Sequence, residues 1–268
     1  MQRMTPTIQP RVTVITVSFN SRATIADTIE SVHAQDLRAV EHVIIDGGST
    51  DGTQKVVARL APHARLVSEP DRGIYDAMNK GLRLATAPVV GFLNSDDMFA
   101  HHGSLSRIVS AIEGGADACY GDLIYVKRDR PSHATRYWRS GVFNAQRMRL
   151  GWIPPHPTFY ARRATLLDSG GFDESFGLAS DFEFMARLLL TEKIRVQYLP
   201  EVLVRMRLGG QTNLSLRNII GQNLQIRRAL QRHCPGTFLP AWAVGKLLIR
   251  MRQLLARPQS PPARVPIR

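Results

Sequence analysis

Apolar and polar positions alternate in blocks along the first hundred residues, and these blocks predict strands and helices in turn. The β-branched run "VTVITVS", Val12–Ser18, is short and continuously apolar, as is typical of a buried parallel strand. Ile25, Ile29 and Val32 then recur at helical spacing. A second strand over residues 42–46, "HVIID", is followed by the turn-rich "GGSTDGT" and a further helix. The pattern therefore predicts a repeated strand–helix unit.

The same repeat continues to residue 94. A third strand is predicted over residues 64–69, "ARLVSE", and a helix over residues 74–86 carries one apolar stripe. The run "PVVGFLN", residues 88–94, is the fourth strand. A β-α-β-α-β-α-β order predicts a parallel sheet with helices on both faces.

Beyond residue 100 the pattern is less regular. A helix is predicted near 103–113, strands near 117–126 and 157–161, and a helix over 180–191 followed by a mostly apolar stretch. The proline-rich ending "RPQSPPARVPIR" is typical of a disordered tail. The predicted organisation is an N-terminal tail (1–10), a main domain (11–210), a basic helical extension (211–257) and a disordered tail (258–268).

Every predicted strand of the first hundred residues ends in polar or turn residues. The carboxyl ends of parallel strands meet at one edge of a sheet, where open α/β sheets bind their ligands. Strand ends are also polar for purely structural reasons, so each ending taken alone has an equally good structural explanation. Together they predict one polar crevice, and the endings are Ser18-Phe19-Asn20, Asp46-Gly47-Gly48, Glu69-Pro70-Asp71 and Asn94-Ser95-Asp96-Asp97.

Two adjacent carboxylates, Asp96 and Asp97, stand between apolar residues in "GFLNSDDMFA". Charged groups in such surroundings need compensation by solvent, by the start of the helix near 103–113, or by a cation. Carboxylate oxygens suit Mg²⁺ or Mn²⁺, and such a metal bridges the phosphates of a nucleotide diphosphate. The chain contains no GxGxxG after its first strand and no GxxxxGK[ST], which disfavours a Rossmann cofactor site and a P-loop.

The charge of the chain is concentrated in its C-terminal quarter. The net charge is +13, yet residues 1–201 carry +1, and residues 202–268 carry twelve Lys or Arg and no acid. Cys119 and Cys234 lack metal-site spacing and indicate a reducing compartment. With no signal-like apolar region and no run of membrane-spanning length, we expect a cytoplasmic protein, at most peripheral on the inner face of the cell membrane.

Six motifs, in order, resemble those of family 2 glycosyltransferases with the GT-A fold, over residues 10–210. The set is closest in character to the bacterial branch that decorates exopolysaccharide, O-antigen and related glycolipid precursors. The resemblance implies an α/β fold with a mostly parallel central sheet flanked by helices, followed here by the basic helical extension. The motifs are "VTVITVSFN", "VIIDGGSTDGT", "SEPDRGIYDAMNKG", "GFLNSDDMF", "HPTFYARR" and "GGFDESFGLASDFEFMARL".

The first two motifs imply a nucleotide site. By resemblance, Val17 and Phe19 flank the nucleotide base, and Asp46 contacts a uracil-type ring or its ribose. Many relatives have a second acid after that aspartate, whereas this chain has Gly47. The base preference therefore stays open between UDP-, GDP- and dTDP-sugars.

The next two motifs imply the phosphate and metal region. By resemblance, Asp71 and Arg72 belong to the segment that closes over the nucleotide. "NSDD" resembles the family's metal-binding acidic motif, with Asn94 in place of its first acid. The alignment gives Asp96 to the ribose or sugar and Asp97 to the metal, Mg²⁺ or Mn²⁺.

The last motifs imply the acceptor side of the site. Asp181 in "LASDF" matches the family's catalytic base. Asp173 and Glu174 are expected to order the loop or to contact the acceptor. His156 lies where relatives often have a histidine, so it is either an acceptor contact or a structural residue.

The resemblance implies an inverting, metal-dependent sugar transferase that uses a glycan or polyprenyl-linked acceptor. Processive relatives carry QxxRW, but "QIRRA" has Ala229 at the tryptophan position, so we expect non-processive transfer. Two alternatives remain: a catalytically inactive nucleotide-sugar-binding protein of the same fold, and a sugar nucleotidyltransferase. The second is disfavoured because "SFNSRAT" is not a glycine-rich basic loop.

The basic extension contains a predicted amphipathic helix over residues 241–257. On a helical wheel, Ala241, Val244, Leu247, Leu248, Met251, Leu254 and Leu255 share one broad face, with Lys246, Arg250 and Arg257 opposite. Such a helix either packs on the domain or lies on an anionic membrane surface. We expect no nucleic-acid partner, since only Phe238 and Trp242 are available for stacking.

Overall fold

A mixed sheet of nine strands forms the centre of the computed structural model, which describes residues 9–209 and 216–256. The strands are β1 (Val12–Ser18), β2 (Val40–Asp46), β3 (Arg65–Ser68), β4 (Val89–Phe92), β5 (Met98–Phe99), β6 (Ala118–Val126), β7 (Ala134–Trp138), β8 (Tyr160–Arg162) and β9 (Val196–Arg207). The helices are α1 (Ile25–His33), α2 (Thr53–Leu60), α3 (Ile74–Leu84), α4 (Ser104–Glu113), α5 (Ala145–Arg149), α6 (Arg163–Asp168), α7 (Ser180–Ala186), α8 (Leu216–His233) and α9 (Leu239–Leu255).

The predicted parallel sheet is confirmed for the first four strands. They lie in the order β3-β2-β1-β4, and every pairing among them is parallel. The predicted helical positions Ile25, Ile29 and Val32 are buried on the inner face of α1. This half follows directly from the strand–helix repeat of the sequence.

Beyond β4 the sheet is mixed, so "mostly parallel" describes its first half and not the whole. Strand β8 is antiparallel to both β4 and β6, while β6 and β9 pair in parallel. Strand β5 was not predicted, because two residues are too few to show a period; it pairs antiparallel with β9. The hairpin strand β7 and the short helix α5 were also missed.

Two predicted elements are refined at their boundaries. A 3₁₀ turn, His156–Thr158, precedes β8, which is shorter than the predicted strand. The predicted helix over 180–191 is α7 continued by a π-helical turn, Arg187–Thr191. Such turns are frequent at functional sites, and this one follows the candidate base.

Helices α8 and α9 pack against the main domain. Ile226 and Leu230 of α8 and Trp242 of α9 belong to the same hydrophobic cluster as Phe176 and Phe184. Ala229, at the position of the processive family's tryptophan, is fully buried. The predicted tails lie largely outside the described residues, as do the predicted boundary at 210 and Arg257.

Helix α9 turns its apolar face away from the domain, whereas an amphipathic helix that packs on a domain usually turns that face inward. Trp242 and Gln253 are buried against the domain, and Lys246 is half-buried on the same side. The leucines of the predicted apolar face are exposed. No helix within residues 9–209 and 216–256 is long and apolar enough to cross a bilayer.

Candidate active site

The polar strand endings converge at one edge of the sheet, as predicted. Ser18, Asp46 and Ser68 are register partners at the carboxyl ends of β1, β2 and β3. The segment after β4 joins them, because the Ser95 amide donates to the Val17 carbonyl at 3.2 Å. The hydroxyls of Ser21 and Ser95 are 2.7 Å apart. The four endings therefore form one crevice.

Asp46 is fully buried, and its carboxylate is surrounded by donors. It accepts from the Ser18 hydroxyl at 3.1 Å, the Gln54 amide at 3.0 Å and the Ser68 hydroxyl at 2.7 Å, and from both the amide and hydroxyl of Ser49. Burial alone would raise the pKa of Asp46, but the hydrogen bonds from Ser49, Ser68 and Ser18 outweigh it and lower the pKa. A nucleotide that contacts this carboxylate must replace one of these donors.

Gly47 leaves room for a carboxylate from another loop. A Cβ at Gly47 would lie 2.5 Å from Oδ2 of Asp71. The Asp71 carboxylate therefore lies where a side chain at position 47 would begin. This contact is invisible in the sequence, because the two residues are on separate loops.

The predicted base-flanking residues lie at the tip of β1. Phe19 is 60% exposed, and Val17, two residues before it, is buried in the core. Exposed aromatic rings are costly unless they cover something, and the face of a planar base is a suitable partner.

Arg72 bridges two loops at the mouth of the crevice. Its guanidinium contacts Asp76 of α3 at 3.1 Å and Glu174 at 3.1 Å. These partners, with Glu174 foremost, raise the pKa of Arg72. The pairing links the segment predicted to close over the nucleotide with the loop that precedes α7.

The acidic turn after β4 is held from behind by Arg207 of β9. The Arg207 guanidinium is buried, donates to the Asp96 carbonyl at 3.0 Å and pairs with Asp27 of α1. The Thr28 hydroxyl donates to the Asp97 carbonyl at 2.7 Å. Sequence reasoning missed Arg207, because nothing in its local pattern distinguishes it from the other arginines of the basic C-terminal region.

The two carboxylates of this turn differ in exposure. Asp97 has no exposed surface, whereas Asp96 is partly exposed. Burial and the neighbouring Asp96 charge raise the pKa of Asp97 well above its usual range. Burial also raises the pKa of Asp96, against the charges of Arg128 and Arg207.

These groups fit a divalent cation that is completed by other ligands. Within the described part of the chain, Oδ1 of Asp97 is buried without a hydrogen-bond partner, and the Asn94 amide is 3.4 Å from Oδ2. A cation beside this pair would compensate both charges. No group of three or more His, Cys, Asp or Glu suited to a metal occurs among the described residues, so phosphate oxygens and water would supply the remaining ligands.

Asp181, the predicted base, lies at the start of α7 and is partly exposed. Its Oδ1 accepts from the Phe182 amide at 2.7 Å, and the Tyr75 hydroxyl hydrogen-bonds to it. Burial raises the pKa of Asp181, although these hydrogen bonds and the charge of Lys246 act against the rise. Burial and the Asp181 charge raise the pKa of Tyr75 well above its usual range, so Tyr75 remains the hydrogen-bond donor. Tyr75 and Lys246 are site residues that the sequence did not reveal.

His156 lies in an aromatic cluster. Its ring stacks on Phe92 at 5.7 Å and meets the edge of Phe172 at 5.6 Å. Neither ring nitrogen has a partner among the described residues, and burial lowers the pKa of His156 to about 4. The ring is therefore neutral at pH 7, with one nitrogen able to donate and the other able to accept.

Asp173 and Glu174 both make contacts that order the loop before α7. Asp173 accepts from the Ser175 amide at 3.0 Å and pairs with Arg232 of α8 at 3.4 Å. Glu174 holds Arg72, as described above. The structure thus accounts for both acids through loop contacts, and their predicted contact with an acceptor stays a prediction.

Tyr125 of β6 connects the two acidic parts of the site. Burial is the main cause that raises its pKa, and the charges of Asp97 and Asp181 both add to the rise. A single hydroxyl is thus within electrostatic reach of the acidic turn and of the candidate base.

Comparison with known protein families agrees with this geometry. The family model described as glycosyl transferase family 2 matches residues 13–177. An uncharacterised glycosyltransferase of Mycobacterium tuberculosis is 34% identical over 187 residues, 69% of this chain and 71% of the relative. A PGL/p-HBAD biosynthesis glycosyltransferase of Mycobacterium bovis is 28% identical over 211 residues, 76% of this chain and 80% of the relative.

Solved structures show the same architecture. The TarS 1–349 fragment of S. aureus in complex with UDP superposes with a TM-score of 0.62 at 19% identity, covering 91% of this chain and 70% of that one. The mannosyltransferase PcManGT of Pyrobaculum calidifontis, in complex with GDP-Man and Mn²⁺, gives a TM-score of 0.57 at 22% identity, with 94% and 83% coverage. At these identities the likeness shows the fold alone, which is GT-A. With its family match over more than half its length and its curated relatives, this chain belongs to glycosyl transferase family 2.

Proposed function

We propose that this protein is an inverting, non-processive glycosyltransferase that moves a sugar from a nucleotide-diphosphate donor to a hydroxyl of a glycan or polyprenyl-linked acceptor. The product belongs to cell-surface polysaccharide or glycolipid biosynthesis, and the enzyme works in the cytoplasm at the inner face of the cell membrane. The observation that carries the proposal is the match to glycosyl transferase family 2, together with the polar strand endings that meet at one edge of the sheet.

Asp181 acts as the general base in this proposal. A hydroxyl is a poor nucleophile until a positioned carboxylate takes its proton during attack. The Phe182 amide donates to Oδ1 and orients the Asp181 carboxylate, and burial raises its proton affinity. A carboxylate with a raised pKa is a stronger base while it remains ionised at neutral pH.

The direction of attack determines the stereochemistry. If the acceptor oxygen bonds to the anomeric carbon from the face opposite the diphosphate, the carbon–oxygen bond to the diphosphate breaks as the new one forms. The configuration at that carbon is then inverted, with the acceptor proton on Asp181 and the electron pair on the leaving diphosphate.

Mg²⁺ or Mn²⁺ would be held by the acidic turn. We assign the metal to Asp97, whose Oδ1 has no partner within the described chain, and the ribose or sugar to the more exposed Asp96. When bound, the metal supplies Lewis-acid neutralisation of the charge on the leaving diphosphate. Arg207 holds the turn in place through the Asp96 carbonyl.

The donor is a UDP-, GDP- or dTDP-sugar. Phe19 and Val17 are proposed to flank its base, and Asp46 to contact the base or ribose. Asp71 supplies a carboxylate next to Gly47, and Arg72 closes over the phosphates. Solved structures with this fold hold UDP, UDP-GlcNAc or GDP-Man, which supports nucleotide sugars as the donor class.

Acceptor contacts are proposed for His156, Asp173 and Glu174. His156 is neutral at pH 7 and retains unpaired ring nitrogens, so a sugar hydroxyl could bond to either one. The relatives in PGL/p-HBAD biosynthesis support a glycolipid precursor as the acceptor class.

Calorimetric binding of UDP-, GDP- and dTDP-sugars in the presence of Mn²⁺, followed by donor hydrolysis assays, tests the proposal. We expect one donor class to bind and to be hydrolysed slowly, and Asp97→Ala to lose hydrolysis while Asp129→Ala, an exposed control, retains it. Binding of a donor without hydrolysis or transfer would instead identify an inactive nucleotide-sugar-binding protein. Formation of a nucleotide sugar from a nucleoside triphosphate and a sugar phosphate would identify a nucleotidyltransferase.

A further inference from the structure

Helix α9 leaves an unusual amount of apolar surface uncovered. Seven of the large hydrophobic side chains that are exposed in the described structure lie between residues 238 and 255. Six of them form what we name the α9 apolar face, with exposures from 51% to 80%: Val244, Leu247, Leu248, Met251, Leu254 and Leu255. Contiguous exposed apolar surface of this kind marks a binding surface and is rare on monomers.

The α9 apolar face is a single stripe. At 100° per residue its six members span an arc of about 120°. Trp242 and Gln253, which are buried against the domain, project from the opposite side of the helix. Arg250 and Arg252 lie at the two borders of the stripe and are exposed. A stripe bordered by arginines is typical of helices that lie in the plane of a membrane interface.

The stretch of sequence that contains the helix, and a second stretch that packs beside it, are basic. Residues 202–268 contain twelve Lys or Arg and no acid. Residues 131–167, which include β7 and the loop after α5 next to α9, contain six arginines and no acid. Exposed Arg250 and Arg252 thus border the apolar stripe, and the neighbouring segment contains no acid, so a surface with negative charge is its complement.

The inner side of the helix faces the candidate active site. The Lys246 ammonium lies 4.7 Å over the Trp242 ring, donates to Asn223 at 3.0 Å and lowers the pKa of Asp181. The backbone of α9 also touches the loop after α5, since a Cβ at Gly245 would lie 2.2 Å from the Leu150 carbonyl oxygen. One helix therefore presents its basic inner side to the base and its apolar outer side to solvent.

We propose that α9 docks on an anionic lipid bilayer by inserting its apolar face at the headgroup boundary. This orientation holds the acceptor side of the crevice close to the bilayer. The docking surface stands on its own observations, whereas the orientation rests on the proposed function. Of the two alternatives that the helical wheel left open, this one places the apolar face on a membrane.

Flotation with vesicles tests the docking. Wild-type protein is mixed with phosphatidylcholine vesicles that contain about one quarter phosphatidylglycerol, and with pure phosphatidylcholine vesicles. We expect flotation with the anionic vesicles, weaker flotation with the neutral ones, and a decrease as salt is raised. The variant Leu247→Gln/Leu254→Gln should lose at least about tenfold in partitioning, because two exposed leucines no longer enter the bilayer.

The control is Leu208→Gln/Leu224→Gln, which replaces two exposed leucines outside α9 and should float like wild type. Donor hydrolysis should keep its wild-type rate in both variants, so a failure of the proposed function leaves the flotation result readable. Equal flotation of the α9 variant and wild type would overturn the proposal. So would a wild-type protein that binds neither vesicle and forms a dimer in light scattering that the α9 variant abolishes, since a second copy would then cover the face.

Discussion

The N-terminal half of the molecule, residues 9–99, and its C-terminal half, residues 100–256, contribute to the same crevice in different ways. In the N-terminal half, Asp46 is held by Ser18, Ser49, Gln54 and Ser68, all within one run of fifty-one residues. The parallel strands bring these residues together through regular register. This half is a preorganised site built from local pattern.

The C-terminal half depends on contacts between distant parts of the chain. The pKa of Asp181 is lowered by Tyr75 of α3, through a hydrogen bond, and by the charge of Lys246 of α9. Arg207 of β9 holds the acidic turn from a distance of 111 residues along the chain. If the proposed function holds, we expect nucleotide binding to tolerate change in α8 and α9, and the proposed chemistry of Asp181 to be sensitive to it.

The largest effect is expected from Asp181→Asn. An amide cannot accept the hydroxyl proton, so transfer should fall by about 10²- to 10⁴-fold, the usual contribution of a general base. Donor affinity should stay unchanged, because the proposed nucleotide contacts lie in the N-terminal half. Single-turnover transfer and calorimetric donor binding measure the two quantities, and Asp168→Asn, on the surface, is the matched control. Loss of donor affinity together with transfer would show that the two halves do not act separately.

The same contrast explains what the sequence could predict. Strand endings such as Asp46 and Asn94 were predictable, because a βαβ repeat places all carboxyl ends on one edge. Strand β5 was not predictable, because a strand of two residues is too short to show a period. The buried Arg207 was not predictable either, because it belongs to no recognisable motif. Asp181 was found only through a family motif, and the structure then supplied its partners.

Helix α9 shows more clearly what sequence periodicity does not predict. The sequence gives the position of the apolar stripe, and the structure confirms that its members share a face. Which side of the helix packs on the domain depends on contacts of Trp242, Gly245 and Lys246 with distant residues. A helical wheel contains no information on those contacts.

The next effect concerns stability in the C-terminal half. Glu183 of α7 is buried and pairs with Arg187 at 3.0 Å and His233 of α8 at 2.9 Å. Burial alone would raise the pKa of Glu183, but these partners lower it from 4.5 to about 2. Because the folded-state pKa is depressed, the stabilisation is present above pH 4.5 and is lost as the pH falls toward 2. Glu183→Gln should therefore lower the free energy of unfolding at pH 7 by about 3 kcal/mol.

Denaturant unfolding at pH 7 and at about pH 3, between the unfolded and folded pKa values, measures this effect, which should shrink at the lower pH. The control is Glu113→Gln, whose exposed pair with Arg11 should contribute less than about 1 kcal/mol. If both variants lowered the free energy of unfolding equally, the contacts of Glu183 between α7 and α8 would not be a special source of stability for the C-terminal half.

A smaller effect is expected on Mn²⁺ affinity when the acidic turn of the N-terminal half is changed. Asp97→Ala should weaken Mn²⁺ binding in the presence of donor by at least about tenfold, since a direct ligand is lost. Asp96→Ala should weaken it less, because Asp96 is assigned to the ribose or sugar. Mn²⁺ titration by electron paramagnetic resonance compares the two variants. A larger loss in the Asp96 variant would reverse the assignment, as the greater exposure of Asp96 would then suggest.

The smallest expected effect is a shift in the pH dependence of transfer when Lys246 of α9 is replaced. Its charge lowers the pKa of Asp181, so Lys246→Met should raise that pKa and move the acidic limb of the pH–rate profile to higher pH. Burial first and Arg250 second lower the pKa of Lys246 itself to about 8, so Lys246 is charged throughout the acidic limb. At pH values above the acidic limb, Asp181 is ionised in both proteins, and their rates should converge. Lys55→Met, on exposed α2, should leave the profile unchanged. A uniform loss of rate at every pH would mean that Lys246 only supports the fold, and the C-terminal extension would then have no electrostatic part in the base.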